Sequence, residues 1–180
     1  MKIGAELKIA VTGTDTFRYI SVSPDNKVTM VQTELNARAP DDHEVSTDYT
    51  CHVWTKDTNQ LLICTAEGDM LLCNHGGEFI RYIPDSGNCI APNRIDSITA
   101  YSRGVIAAGE DGLIWAFEGS TSDEAPYRLQ QDPIDSKKRD ESVCKYIETE
   151  DINIVSLVLN NTEDTLYYID RQNQLLKYAI

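Results

Sequence analysis

The chain has 180 residues, of which 41% are hydrophobic, so it can bury a real core and is not disordered throughout. Twenty-nine acidic residues against 16 basic ones give a formal net charge of -13, which disfavours nucleic acid and anionic membranes as partners. A basic protein, or a basic patch on one, is the kind of partner that this charge favours.

Three extended segments stand near the start of the chain, at residues 8–12, 17–22 and 27–33. They are rich in β-branched and aromatic residues, and the runs Gly-Thr-Asp and Pro-Asp-Asn between them are typical turns. We expect them to be the last three strands of a four-stranded antiparallel sheet.

A short apolar run, an acidic or glycine-containing turn and a second apolar run then recur three times, over residues 60–73, 104–117 and 164–178. Each copy predicts a β-hairpin, because its strands hold good strand formers and its turn residues tolerate positive φ. Hairpins that repeat every 40 to 60 residues or so are typical of propeller blades, in which the hairpin supplies the middle two of four antiparallel strands.

Extended segments flank these hairpins and complete the blades. Residues 49–54 and 78–83 enclose the first hairpin, residues 95–101 and 127–130 enclose the second, and residues 152–159 precede the third. The predicted fold class is therefore all-β, an incomplete β-propeller over residues 1–180 with about two full and two partial four-stranded blades. Closed propellers need about four to eight blades. We expect the isolated chain to self-associate through its unpaired terminal strands.

Two long polar segments, 36–47 and 118–142, interrupt the repeat. Loops longer than about 12 residues are usually functional or disordered, so we expect both to lie between blades and to contact partners. The alternative is a solvated face with no binding role. The candidate partner-binding residues are all charged: Asp41, Asp42, Glu44, Asp123, Glu124, Lys137, Lys138 and Arg139. Residues 136–148 are the best candidate for a helix.

Catalytic and metal-binding motifs are missing from the sequence. Cys51, Cys64 and Cys73 lack the close pairing that structural zinc requires, and we expect Cys64 and Cys73 to be core side chains. The three histidines have no nucleophile motif beside them, and no phosphate- or dinucleotide-binding motif occurs. The sequence predicts a protein that is not an enzyme and uses no metal, cofactor or small-molecule substrate.

Trp54 and Trp115 lie within predicted strands. We expect them to pack between blades. The alternative is an aromatic recognition surface that also includes Tyr82, Tyr101, Tyr167 and Tyr168. The chain starts without the apolar core of a signal peptide, and its five cysteines are scattered. These features predict a cytoplasmic location with reduced thiols.

The segments CHVWTKDTNQLLICTAEGDMLLC (51–73), AYSRGVIAAGEDGLIWAFE (100–118) and DTLYYIDRQNQLL (164–176) resemble the N-terminal propeller of the cilia- and flagella-associated protein fifty-seven family. The resemblance implies a WD40-like propeller in the axoneme of a cilium or flagellum. It implies protein partners such as dynein-arm components, a part in positioning inner dynein arms and regulating motility, and neither catalysis nor a cofactor. The Trp-Asp pair of well-formed WD repeats is absent here, since Thr55 follows Trp54 and Ala116 follows Trp115. A cytosolic propeller adaptor outside cilia is the alternative.

Overall fold

The computed structural model describes residues 6–32, 35, 45–56, 60–83, 94–110, 112–119, 127–129, 146–148 and 153–179. These residues form fifteen β-strands and no helix, in agreement with the predicted all-β class. The strands are β1 (Leu7–Gly13), β2 (Thr16–Val22), β3 (Val28–Gln32), β4 (Tyr49–Trp54), β5 (Leu61–Thr65), β6 (Met70–Cys73), β7 (Phe79–Ile83), β8 (Ile95–Tyr101), β9 (Gly104–Gly109), β10 (Leu113–Gly119), β11 (Tyr127–Leu129), β12 (Tyr146–Glu148), β13 (Ile154–Leu159), β14 (Thr165–Asp170) and β15 (Leu175–Ala179).

The strands form four antiparallel sheets that follow one another in chain order. The first sheet is β1–β2–β3, the second is β4–β5–β6–β7, and the fourth is β13–β14–β15. The third sheet is β8–β9–β10–β11, and β12 also pairs with β10. All three predicted hairpins are present, as β5–β6, β9–β10 and β14–β15.

The turns of these hairpins use the residues that the sequence singled out. Gly68 (φ 87°), Gly112 (φ 69°) and Asn173 (φ 60°) adopt the left-handed conformation, which glycine and asparagine reach at the least cost. The amide of Asn173 donates to the carbonyl of Asp170 at 3.0 Å and closes the third turn.

The first strand of the third sheet, β8, contacts the first strands of the second and fourth sheets, β4 and β13. β4 and β8 run in the same direction, because they meet near their starts at Thr50 and Ile95 and both end beside Glu163. Thr50 Oγ1 in β4 donates to the carbonyl of Ile95 in β8, and the amide of Leu157 in β13 donates to Ser97 Oγ in β8 at 3.0 Å. By contrast, β1 runs opposite to β4, since Thr14 and Asp48 form an antiparallel bridge. Because strands alternate in direction within a blade, β1 occupies a second-strand position, as predicted for the last three strands of a blade.

The core consists of three apolar layers, each lying between two neighbouring sheets. Alternation along β5 shows how one strand serves two of them: Leu61 and Ile63 face the first sheet, whereas Leu62 and Cys64 face the third. All four side chains are fully buried. Burial on both faces explains the continuous apolar sequence of the first two hairpins, and it holds the sheets face to face like successive blades.

The outer edge of the third sheet is divided between two short strands. In the register of β10, Leu129 of β11 pairs with Phe117 and Tyr146 of β12 pairs with Trp115, so only Ala116 separates the two pairings. β11 and β12 therefore occupy one strand position beside β10, on either side of Ala116. The helix predicted over residues 136–148 is wrong at its end, because residues 146–148 form β12; its other residues lie outside the described part of the chain. Pairing with β10 satisfies the backbone there, which outweighs a weak helical pattern.

Candidate interaction surface

The eight charged residues predicted to bind partners lie outside the described residues. They are Asp41, Asp42, Glu44, Asp123, Glu124, Lys137, Lys138 and Arg139. The strands beside them nevertheless show where each segment joins the fold.

The segment that carries Asp41, Asp42 and Glu44 joins the molecule at the start of β4. There the amide of Asp15 donates to the carbonyl of Thr47 at 2.9 Å, and the amide of Ala66 donates to the carbonyl of Asp48 at 2.9 Å. Thr14 Oγ1 also donates to Asp48 Oδ1 at 2.8 Å. The entry to β4 is thus fixed to the β1–β2 and β5–β6 turns, at the end of the sheets where the first strands begin.

The other candidates join the third sheet at two further positions. Asp123 and Glu124 belong to the connection from β10 to β11, which starts at the opposite end of the sheets. Lys137, Lys138 and Arg139 belong to residues 130–145, which connect β11 to β12 in the sequence; those two strands pair with β10 at the outer edge of the sheet. The fold therefore attaches the acidic and basic candidates at three separate places.

That opposite end carries a carboxylate that joins three sheets. Glu163 precedes β14, and its Oε1 lies 2.6 Å from the Nζ of Lys56, which follows β4. The backbone amide of Ser102, which follows β8, donates to Oε2 at 2.8 Å and to Oε1 at 3.0 Å. Hydrogen bonds from Lys56 and Ser102 lower the pKa of Glu163 to about 2. One side chain thus fixes the second, third and fourth sheets relative to one another.

A second charged contact lies beside this one. The guanidinium of Arg103 stacks 5.5 Å from the ring centre of Tyr101, and its Nη1 lies 3.3 Å from Glu118 Oε1. Burial, reinforced by the Glu118 charge, raises the pKa of Tyr101 to about 12, so the phenol keeps its proton. The charges of Lys56, Glu163, Arg103 and Glu118 are therefore paired within the fold.

Sequence reasoning did not find the Glu163 contact. Its partners stand 61 and 107 residues away, so no local motif connects them. The signal that the sequence offered was the run Asn-Asn-Thr-Glu-Asp, which is typical of a turn. In the structure, Glu163 of this turn adopts φ 58°. Such a conformation is uncommon for glutamate and marks a residue held by its contacts.

The cysteines and histidines are placed as core and surface side chains. Cys64 and Cys73 are fully buried, as predicted, and burial raises the pKa of Cys73 to about 12. His52 Nδ1 lies 2.9 Å from Thr12 Oγ1, and burial lowers the pKa of His52. Within the described ranges, no three His, Cys, Asp or Glu side chains are grouped as a metal site would require.

The two tryptophans pack between sheets, as predicted. Trp115 is buried between the second and third sheets, and Trp54 packs partly buried against the core between the first and second. Tyr82 and Tyr101 are buried as well, which removes them from any recognition surface, whereas Tyr167 is exposed on the fourth sheet. In the described part of the chain, no helix is long and apolar enough to span a bilayer.

Comparison with known structures identifies the type of fold. The crystal structure of Sqt1 from Chaetomium thermophilum, a WD40 protein, matches with a TM-score of 0.65 at 15% identity. The match covers 96% of this chain and 40% of the Sqt1 chain. The fold is of the WD40 type. The pairings described above do not include one that closes a ring.

A sequence relative is a cilia- and flagella-associated protein. The chain is 21% identical over 164 residues to Cilia- and flagella-associated protein 57 C of Tetrahymena thermophila. The alignment covers 88% of this chain and 12% of the relative, so the chain spans about an eighth of that protein's length. No family model matches the sequence. Neither similar protein is of an enzymatic kind.

Proposed function

We propose that this chain is part of a WD-repeat scaffold of the cilium or flagellum, where it binds other proteins and catalyses no reaction. The observation that carries the proposal is the relative from Tetrahymena, whose similarity extends over 88% of the chain rather than over one repeat. The WD40-type fold supports it, because propellers commonly act as rigid platforms for protein contacts.

In finer terms, the proposed location is the axoneme, and the proposed role is to help position inner dynein arms and so regulate beating. The support is the order of the three quoted segments, which resembles the fifty-seven family from the first complete blade to the last hairpin. The partners are then axonemal proteins, including dynein-arm components.

The proposed contact elements are the two polar segments, 36–47 and 118–142, without the residues of the second segment that form strands, which are 118–119 in β10 and 127–129 in β11. The strands of the second and third sheets bury most of their apolar side chains in the layers between sheets, and Glu163 and Arg103 are each paired with another residue of the fold. The candidate loop charges fall into two kinds with opposite preferences. Acidic residues such as Asp41 and Glu124 suit a basic partner surface, and the run from Lys137 to Arg139 suits an acidic one.

The location is tested by expressing the full-length protein with a fluorescent tag in a ciliated cell. We expect the tag along the axoneme, and we expect it to stay there after detergent removes the ciliary membrane. A tag confined to the cell body would contradict the ciliary proposal and favour a cytosolic adaptor.

The basic contact is tested by charge reversal of Lys137→Glu, Lys138→Glu and Arg139→Glu together. We expect binding of the purified chain to isolated axonemes to weaken about ten-fold or more, since reversed charges in a complementary interface repel. Lys27→Glu together with Arg171→Glu serves as the control, because both residues lie in described turns that belong to neither segment. Equal losses in the two variants would show a general charge effect and would contradict a specific contact.

A further inference from the structure

Two cysteines stand opposite each other on neighbouring strands of the second sheet. Cys51 on β4 pairs in register with Cys64 on β5. Directly opposed residues of antiparallel strands have Cα atoms about 4.5 to 5.5 Å apart, and their side chains share one face. A disulfide spans Cα distances of about 4.4 to 6.8 Å. The register therefore brings two thiols to the separation that a disulfide needs.

The packing of the two side chains agrees with their register. Cys64 is fully buried in the layer between the second and third sheets, and Cys51 packs half-buried against the same layer. Both are free thiols in the structure. Burial, together with a hydrogen bond from Cys51, raises the pKa of the Cys64 thiol. Cys64 therefore keeps its proton, and Cys51 is the member of the pair that solvent reaches.

The strand that carries Cys51 is irregular at this point. The register shifts between Tyr49 and Cys51, so Thr50 stands out of the regular ladder. Thr50 Oγ1 instead donates to the carbonyl of Ile95 on β8, and Cys51 Sγ lies 3.8 Å from the same carbonyl oxygen. Irregularities of this kind interrupt the ladder and bend the strand. The backbone beside Cys51 is thus less constrained than a regular strand when the sulfur atoms approach each other.

Cys73 offers an internal comparison, because it has no cysteine opposite. On β6 it pairs with Leu61 of β5 and with Phe79 of β7. Its side chain lies in the layer between the first and second sheets, whereas Cys51 and Cys64 face the next layer. The fold therefore singles out one pair among the cysteines that the structure describes.

We propose that Cys51 and Cys64 form a redox modification site, at which hydrogen peroxide converts the two thiols into a disulfide that links β4 to β5. In reducing compartments such disulfides are usually transient and serve in redox sensing. A thiol reductant returns the pair to its free form by exchange. The inference is independent of a ciliary location and of partner binding by the polar segments.

Oxidation starts at Cys51, the more exposed sulfur. Its thiolate attacks one peroxide oxygen, so an S–O bond forms, the O–O bond breaks, and the leaving hydroxide takes up a proton to become water. The sulfur of Cys64 then attacks the sulfenic acid at Cys51. The S–S bond forms, the S–O bond breaks, and hydroxide leaves with the Cys64 proton as a second water. Two thiols are oxidised and one peroxide is reduced.

Peptide mapping without reductant tests the proposal. The purified, folded chain is treated with hydrogen peroxide, its remaining thiols are alkylated, and trypsin cuts after Lys56 to separate Cys51 from Cys64. We expect a pair of peptides joined by a Cys51–Cys64 disulfide that dithiothreitol separates, and we expect Cys73 to be alkylated. Met30, which is 53% exposed, reports that the oxidant has acted. Alkylated Cys51 and Cys64 beside an oxidised Met30, or a link from either to another cysteine, would overturn the proposal.

Single variants test the order of the two steps. Cys64→Ala should leave Cys51 as a sulfenic acid that dimedone traps, because no thiol then stands opposite. Cys51→Ala should leave Cys64 as a thiol. Cys73→Ala is the matched control and should form the cross-link as the wild type does. Equal loss of the cross-link in Cys73→Ala and Cys64→Ala would overturn the assignment of the pair.

The wild type in urea provides a test that does not depend on how the variants fold. In the unfolded chain all five cysteines are exposed and free to meet, so the Cys51–Cys64 link should make up a smaller share of all cross-links than in the folded chain. An equal share in the two states would overturn the proposal, because strand register would then have no part in bringing the thiols together.

Discussion

Glu163 shows how one side chain contributes beyond its own turn. Its carboxylate receives a charged hydrogen bond from Lys56 and two backbone hydrogen bonds from Ser102, so it joins three sheets at one end. Such bonds to the ionised form are stronger than neutral ones. Because both partners are distant in sequence, only the folded chain reveals this role.

Replacing Glu163 should change how stability depends on pH. Its pKa in the folded state, about 2, lies below its ordinary value of 4.5, so its contribution to stability is present above about pH 4.5 and is lost as the pH falls towards 2. Glu163→Gln should therefore lower the free energy of unfolding at pH 7 and lose less stability than the wild type between pH 4.5 and pH 2. Urea unfolding across this range checks both.

Glu67→Gln is the control for that experiment, since Glu67 is exposed in the β5–β6 turn. It should leave the pH profile of the wild type almost unchanged. Parallel profiles for wild type and Glu163→Gln would show that the carboxylate does not stabilise the junction of the three sheets.

Gly109 is required by the close approach of two strands. A Cβ atom at this position would lie 1.7 Å from the carbonyl oxygen of Arg94, which is backbone and cannot move aside. Gly109→Ala should therefore cost about 3 kcal/mol of folding free energy. At Gly13 the nearest neighbour of an added Cβ, Thr16 Cβ, is 3.8 Å away, so Gly13→Ala should change stability by less than about 0.5 kcal/mol. Similar urea midpoints for the two variants would contradict this account.

At the scale of elements, local pattern was sufficient for the hairpins. Residues 61–73 and 104–117 combine strand formers with turns that reach positive φ, and both properties depend on neighbours in sequence. The divided outer strand of the third sheet could not be predicted in the same way. Residues 146–148 are recruited by β10, whose register is visible only in the folded structure.

Burial on both faces makes the middle strands the most sensitive elements. Phe117 in β10 is 1% exposed and packs in the layer between the second and third sheets. Phe117→Ala should cost about 3 to 5 kcal/mol through lost burial and a residual cavity. Ile80→Ala, on an exposed face of β7, should cost less than about 1 kcal/mol. Equal shifts in the unfolding midpoint would mean that this layer does not hold the sheets together.

For the whole molecule, counting hairpins predicted a row of blades, and the WD40-type fold agrees. The position of β1 as a second strand was also predictable, because three strands precede the first complete blade. Contacts between sheets were not, since the layers around Leu61 and Leu62 join residues far apart in sequence. The partner-binding residues proposed from composition, such as Asp41 and Lys137, stay predictions.

The central claim is that strands provide the fold while the segments between them bind partners. The outer strand of the third sheet is divided into β11 and β12, and this division allows folding and partner binding to be tested separately. Replacing residues 130–145 by one threonine leaves a single residue opposite Ala116, so β11 and β12 become one continuous strand in the same register. The measurement is binding of this variant to isolated axonemes, beside its circular dichroism spectrum and urea midpoint. We predict an unchanged fold and binding weakened about ten-fold or more. Binding equal to that of the wild type, with the fold intact, would contradict the account.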